Sequence, residues 1–451
     1  MSSDDLLVIE GRFWLPDDRY RSYGRLEYDA EHGVRLHLVD TNLSGGIDQR
    51  SEAPRPVSVL YGEALGGSPL TVLGFYPTSW SIQGAGPAAG DVIDGLVERV
   101  LRGVHLRDYE ELVAPTAGST LHGLREFLVG GQVDGGPLPR PTDRHRAEVL
   151  SVEVDNDVKL LLAASRQDRF NREEEQSKVH ASAQWTLDPP FPIPRLEREY
   201  IRPLQDLILF ATRRQSYVTG LTAHLDAERP WAVEVLQQPY PRPRDSPPVY
   251  ALALNLRDHD DPSALIAAWY ALRRKVGPVW DQFFAVLDRP ESLLEDRLLG
   301  LMSFAEGYHR ALNPDRPIAK SDQAAAERAI KTALKPLPKD VRRIYKAALG
   351  YANSLTQRER LGHLATRALD VLGDWWYLDP ELFCAELSDT RNWLIHWGKR
   401  GPNVVEDDQG MADLVRRLVV VMYVNLLLDL GLDQDATGKV IGSGWRLEGL
   451  P

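Results

Sequence analysis

Within Ser388-Asp-Thr-Arg-Asn-Trp-Leu-Ile-His-Trp-Gly398, an arginine, an asparagine and a histidine fall inside six residues. An imidazole can take or give a proton near neutrality, and a guanidinium can offset charge developing on phosphoryl oxygens. Asn392 and His396 are four apart and share a face of a helix. Arg391 lies ~140° round from His396, and its long side chain can bend toward the same phosphate. Ser388, Asp389 or Thr390 is expected to cap this helix, with Trp393, Leu394 and Ile395 packing it inward. The same Arg-to-His spacing recurs at Arg140/His145, in a proline-rich run with no helix to orient it, and at Arg358/His363, which lacks the asparagine and the apolar interleaving.

The elements that must position such a site change character along the chain. Up to about residue 255 the pattern is one of short strands with turn punctuation. The hairpin Gly24 to Tyr28 with Val34 to Val39 leads, followed by runs near 57–61, 70–76, 100–106, 158–164, 181–187, 217–225 and 249–256. Three helical interruptions are expected, at Val92 to Glu98, Thr120 to Leu128 and Arg195 to Thr212. Proline and arginine crowd residues 229 to 248, which is read as an extended loop excluding a central strand. From Pro262 onward, sets such as Leu298/Leu301/Phe304/Ala305 and Leu414/Leu418/Val421/Met422 carry helical spacing. The class expected is α+β: a β-rich sandwich or barrel over 1–290, then a helical bundle over 291–451.

Composition narrows the function. The chain has 451 residues, 43% hydrophobic and 26% charged, with a formal net charge of -12, so a nucleic-acid site must be local rather than global. One stretch qualifies. Between Lys331 and Arg367 stand nine cations (Lys331, Lys335, Lys339, Arg342, Arg343, Lys346, Arg358, Arg360 and Arg367) against Asp340 and Glu359. The single cysteine, Cys384, excludes an intrachain disulfide and suits a reducing compartment and a core position. The acidic N-terminus lacks the form of a signal peptide, and the apolar run Leu418 to Leu430, interrupted by Asn425 and Asp429, reads as a buried helix. A cytoplasmic protein with no membrane association is expected. No His-x3-His, P-loop or Rossmann pattern is present, so no metal and no cofactor is expected.

Arg391-Asn-Trp-Leu-Ile-His396, late in a helical region, resembles the R-x4-6-H signature of HEPN-domain ribonucleases. Leu298-Leu-Gly-Leu-Met-Ser-Phe-Ala-Glu-Gly-Tyr-His-Arg310 resembles the early helix of the ApeA-like branch, with Glu306 as its acidic residue. Gly11-Arg-Phe-Trp-Leu-Pro16, Tyr23-Gly-Arg-Leu-Glu-Tyr28 and Gly33-Val-Arg-Leu-His-Leu38 are similar to the ApeA N-terminal domain. The resemblance implies an anti-phage protein whose HEPN domain dimerises, or forms a higher oligomer, and cuts RNA without a metal, probing an unknown phage-derived trigger through the β domain. It implies Arg391, Asn392 and His396 as catalytic groups, with Glu306 orienting Arg391 or His396. The local excess of cations, for its part, offers Lys331, Lys335, Lys339, Arg342, Arg343, Lys346, Arg358 and Arg360 as RNA contacts, against the rival reading of a solvated helix face. Two rivals remain open: a non-catalytic HEPN module that dimerises and binds RNA or protein, and a carbohydrate- or peptide-binding β domain with an adaptor bundle.

Overall fold

The computed structural model describes residues 6–29, 33–39, 55–83, 90–129, 148–170, 175–226, 231–237, 254, 256, 259–313, 318–349, 353–373, 376, 378–396 and 400–445. The backbone forms two compact units, Met1–Tyr270 and Ala271–Pro451, which divide inside a helix N-terminal to the boundary expected near 290.

The first unit begins with β1 (Leu7–Trp14), β2 (Ser22–Asp29), β3 (Gly33–Val39), β4 (Val57–Ala64), β5 (Pro69–Gln83) and β6 (Gly90–Arg102). They lie in the order β3-β2-β1-β4-β5-β6, every pair antiparallel, and β3 pairs back onto β6, so the sheet closes as a six-stranded barrel. Alternation fills it: Phe13, Leu26, Leu36, Leu38, Leu60, Val72, Phe75, Ile93 and Val97 are buried in one cluster. The ring of Phe13 occupies space that neighbouring side chains must vacate. A Cβ on Gly24 or on Gly62 would come within 2.7 or 2.8 Å of that ring.

β6 is where the expected helix at Val92 to Glu98 fails. Ile93, Gly95 and Val97 point inward while Leu96 and Glu98 face solvent, the two-residue period of a strand. Residues 92–97 pair with β3 and residues 99–102 with a later strand, β12 (Ala232–Gln237), so β6 leaves the barrel to start a second sheet. That sheet adds β7 (Val113–Leu121), β8 (Glu148–Asp155), β9 (Val158–Phe170), β10 (Glu175–Pro192) and β11 (Val218–His224) in the order β6-β12-β11-β7-β10-β9-β8. β12 corrects the reading of 229–248. Between Pro230 and Pro239 the run Ala232–Gln237 is proline-free and alternates, and it pairs on both sides. Residues 249–253 lie outside the described residues, while Leu254 and Leu256 are buried.

Helix α1 is shorter than expected, Leu124–Val129, because Thr120 and Leu121 belong to β7. The third interruption is continuous: α2 (Ile193–Leu196), a π-helical segment (Glu197–Ile201) and α3 (Arg202–Thr212). Trp185 is fully buried and donates to Ser119 Oγ at 3.3 Å, and Tyr200 donates to Asp155 Oδ2 at 2.6 Å. The first residues of α4 (Pro262–Val276) join this packing, with Trp269 Nε1 donating to the Pro203 carbonyl at 2.8 Å and the Tyr270 hydroxyl to that of Tyr200 at 2.7 Å.

The second unit is helical: α5 (Trp280–Asp288), α6 (Leu294–Leu312), α7 (Lys320–Ala333), α8 (Lys339–Leu349), α9 (Gln357–Leu372), α10 (Pro380–His396), α11 (Asp408–Asp429) and α12 (Gln434–Trp445). Trp280, Phe283, Phe284, Phe304 and Tyr423 form an aromatic cluster at its centre. The run expected to be a buried helix is α11, and both of its polar breaks are satisfied. Fully buried Asn425 donates to the Leu364 and Val421 carbonyls, and Asp429 accepts from Arg367 at 2.8 Å and from the Tyr308 hydroxyl. Among the described residues, no helix is long and apolar enough to cross a membrane. Emptying the barrel of its largest ring should be costly. Phe13→Ala is expected to lower stability by about 3–5 kcal/mol in urea unfolding, and a loss below 1 kcal/mol would mean the glycine-walled slot collapses around it.

Candidate functional site

α10 is built from its N-terminus. Asp379 accepts from the backbone N–H groups of Glu381 and Leu382 at 2.9 and 3.1 Å, and Pro380 takes the first helical position. Ser388, Asp389 and Thr390 are therefore interior to the helix and do not cap it. Phe383, Cys384, Ala385, Leu387 and Thr390 face the bundle, and burial pushes the Cys384 thiol up to about 11. Beyond Thr390 the helix emerges. Arg391, Trp393 and Leu394 are half-buried, Asn392 and His396 are exposed, and Ile395 is 42% exposed, so the inward packing expected of Trp393, Leu394 and Ile395 is incomplete.

Two residues that sequence reasoning offered only as caps hold this end in place. The Asp389 carboxylate accepts from the Asn403 backbone N–H and side-chain amide at 3.3 and 3.0 Å, and Thr390 Oγ1 accepts from the Val405 N–H at 3.0 Å. The segment after α10 is thereby tied to the turn that carries Arg391. Gly401 approaches so closely that a Cβ there would lie 2.7 Å from Asp389 Oδ2. No spacing rule links residues 389–390 to 403–405. Only the aspartate and asparagine types hint at it.

At the exposed end, Arg391 Nη1 donates to Asn392 Oδ1 at 3.2 Å. That contact brings the guanidinium round to the residue that shares a helix face with His396. Among the described residues, the imidazole of His396 has no hydrogen-bond partner. The arrangement offers a cation, an amide and an exposed imidazole to a solvent-borne anion.

Glu306 on α6 is engaged elsewhere. It accepts from Arg310 at 2.6 Å and from Gln357 at 3.4 Å, and among the described residues it bonds neither Arg391 nor His396. The basic stretch also divides. Arg360 is 5% exposed and donates to the Leu355 carbonyl at 3.2 Å, so it is an internal cation and not a surface contact. Arg367 is held by Asp429, Lys331 pairs with Glu327 at 2.8 Å, and Arg358 reaches the Glu381 carbonyl at 3.5 Å. Arg342 is half-buried, while Lys331, Lys335, Lys339, Arg343 and Lys346 are exposed on α7, α8 and the turn between them. Tyr345, 55% exposed, lies among them.

A second polar cluster sits between α6 and α9, and it joins His309 of the early-helix match to His363 of the set-aside Arg-to-His pair and Arg360 of the basic run. Arg360 Nη1 lies 3.3 Å from His309 Nδ1, and His309 Nε2 lies 3.1 Å from His363 Nδ1. A guanidinium only donates, so His309 Nδ1 accepts, and the ring's proton sits on Nε2 facing His363. His309 is 2% exposed; burial, then His363 and Arg360, push its pKa down from 6.5 to about 4. The folded chain thus favours neutral His309 while the unfolded chain takes up the proton below 6.5. The stability this provides is complete above that value and is lost as pH falls toward 4.

Two outcomes are expected from these contacts. Thermal unfolding followed down through that pH window should show a loss that His309→Asn flattens; equal pH slopes in both proteins would remove the imidazole as its cause. Thr390→Val, which keeps the volume but leaves the Val405 N–H unpaired, should cost about 1–2 kcal/mol and speed amide exchange at residues 403–405, and unchanged exchange there would show that the tie is immaterial.

Comparison with known families covers both units. Residues 8–257, which span the barrel and the second sheet, match the family described as ApeA N-terminal domain 1. Residues 299–436, from α6 into α12, match Apea-like HEPN. No curated protein and no solved structure matches the chain significantly. With more than half its length matched by the first family and its helical unit by the second, the chain belongs to the ApeA family, pairing an ApeA N-terminal domain with an ApeA-like HEPN domain.

Proposed function

We propose that the protein is a metal-independent endoribonuclease of anti-phage defence, acting as a homodimer in the cytoplasm. The observation that carries the proposal is the end of α10, where Arg391 is bonded to Asn392 and the exposed His396, without a hydrogen-bond partner among the described residues, stands one turn on, within an ApeA-like HEPN domain. The reaction follows from what these groups can do. The ribose 2'-oxygen attacks the adjacent phosphorus while an imidazole removes its proton. Arg391 and the Asn392 amide neutralise the charge on the phosphorane oxygens, and a second imidazole protonates the departing 5'-oxygen. The products are a 2',3'-cyclic phosphate and a 5'-hydroxyl.

One chain offers one imidazole at this end of α10. A second copy facing it supplies the other, and the half-buried Trp393 and Leu394 beside exposed Ile395 give the two helices apolar surface to share. Lys335, Lys339, Arg343 and Lys346, exposed on or between α7 and α8, are the cations left to hold the RNA backbone, so binding should weaken steeply with salt. Cleavage of host or phage RNA after a phage-derived trigger engages the N-terminal unit would stop phage multiplication by abortive infection. Glu306, bound to Arg310 and Gln357, supports the end of α9 in this scheme and takes no part in the chemistry.

Purified protein is expected to cut RNA in excess EDTA and leave cyclic phosphate ends. His396→Ala and Arg391→Ala should each lower the rate by at least about 100-fold without moving the unfolding temperature. Phage challenge of cells carrying the same variants covers a wild type that needs its trigger. Protection that survives both substitutions would establish instead a HEPN module that only binds and dimerises.

A further inference from the structure

The first unit contains a cavity of about 380 Å³ set against the π-helical turn, between the helix α2 to α3 and the ends of β11 and β12. Its size is at the lower end of the ~300–1,000 Å³ usual for small-molecule sites. Single-turn π segments widen a helix and recur where a ligand is held. None of the groups discussed for RNA cleavage lies here.

The wall chemistry is specific. Arg198 and Arg202 stand four residues apart on the same helix, and both line the cavity. Arg202 pairs through its Nε with buried Asp206 at 3.2 Å, and Arg198 is 3.6 Å from Glu199, a carboxylate already held by Arg195 at 2.9 Å. Among the described residues these ion pairs leave guanidinium N–H groups of both arginines available, as a phosphate would require. Tyr217 supplies an aromatic group to the wall, and the His122 ring stacks on it at 4.8 Å and 7°. Two amides that also line the cavity are oriented by fixed bonds. Gln205 gives its Nε2 to the Ser216 carbonyl at 3.1 Å, leaving Oε1 as an acceptor. Gln237 accepts from Arg99 at 3.3 Å, leaving its NH2 as a donor. Among the described residues of the wall the one carboxylate, Glu197, is faced by Arg99 at 3.7 Å, which offsets its repulsion of an anion.

We infer that this cavity is a binding site for a free nucleoside monophosphate, with the phosphate on Arg198 and Arg202, the base against Tyr217, and the base edge read by Gln205 and Gln237. The combination of paired guanidiniums, an aromatic face, one amide acceptor and one amide donor suits a small anionic molecule with a planar hydrogen-bonding ring, and the volume limits it to a single nucleotide. The site makes the N-terminal unit a receiver of a nucleotide signal, and it stands whether or not the helical unit cleaves RNA.

The test is calorimetric titration of the full-length chain with AMP, GMP, CMP and UMP, with adenosine, inorganic phosphate and a 5'-phosphorylated tetranucleotide as further arms. At least one of the four monophosphates should saturate at one per chain, with adenosine and phosphate weaker by about tenfold or more. Arg198→Ala, an exposed position, should weaken binding about 10- to 100-fold at an unchanged unfolding temperature, Arg198→Lys should recover part of the loss, and Gln237→Ala should alter the preference among bases. Absence of saturable binding by all four monophosphates, preference for the tetranucleotide, or unchanged affinity in both alanine variants would overturn the assignment.

Discussion

The candidate active site depends on α10 being gripped along its first turns and released at its last. Asp379 fixes where the helix starts, Phe383, Cys384 and Leu387 press it into the bundle, and Thr390, fully buried, ties it to Val405. From that anchored stem the next six residues extend into solvent with the polar groups on them. Had the helix begun at Ser388, as its local sequence suggests, only about two turns would carry the site, without the buried stem that sets its direction. A rigid helix with a solvated tip is a means of presenting a guanidinium and an imidazole to solvent without burying either fully.

The same economy of polar groups governs the interior of the helical unit. Two of its buried or partly buried arginines are held in networks: Arg367 with Asp429, Tyr308 and Asn425, and Arg360 with His309 and His363. These arginines belong, by sequence position, to a run that looks like one basic face. The fold divides that run into internal braces and an exposed remainder on and between α7 and α8, so the local charge available to an anion is smaller than the composition of the run implies.

In the first unit the organising element is β6. It closes the barrel by pairing its first half with β3 and founds the second sheet by pairing its last residues with β12, while β5 runs beside both. Arg99, at the start of that second segment, then reaches Gln237, Glu197 and the Tyr109 ring together, stacking over the ring at 3.8 Å. One strand thus couples closure of the barrel to the floor of the cavity beside the π-helical turn.

Periodicity in the residues determined the succession of strands and then helices, the helix over Arg195 to Thr212, the burial of Leu418 to Leu430, and the grouping of Arg391, Asn392 and His396, because each is a local pattern that one face of one element expresses. Tertiary structure alone decided what pairs with what. Val92 to Glu98 carries both helical and alternating spacing, and strand partners on either side settled it. Ala232–Gln237 is flanked by prolines, and only its place between β6 and β11 makes it central. Glu306, Arg360 and His309 acquire their partners from helices ~50 residues away in sequence, and Asp389 and Thr390 find theirs in a segment beyond the helix end. Hydrogen bonds and ion pairs between distant elements leave no period in a sequence, since their formation depends on how apolar faces bring backbones together and not on the spacing of residues along any one of them.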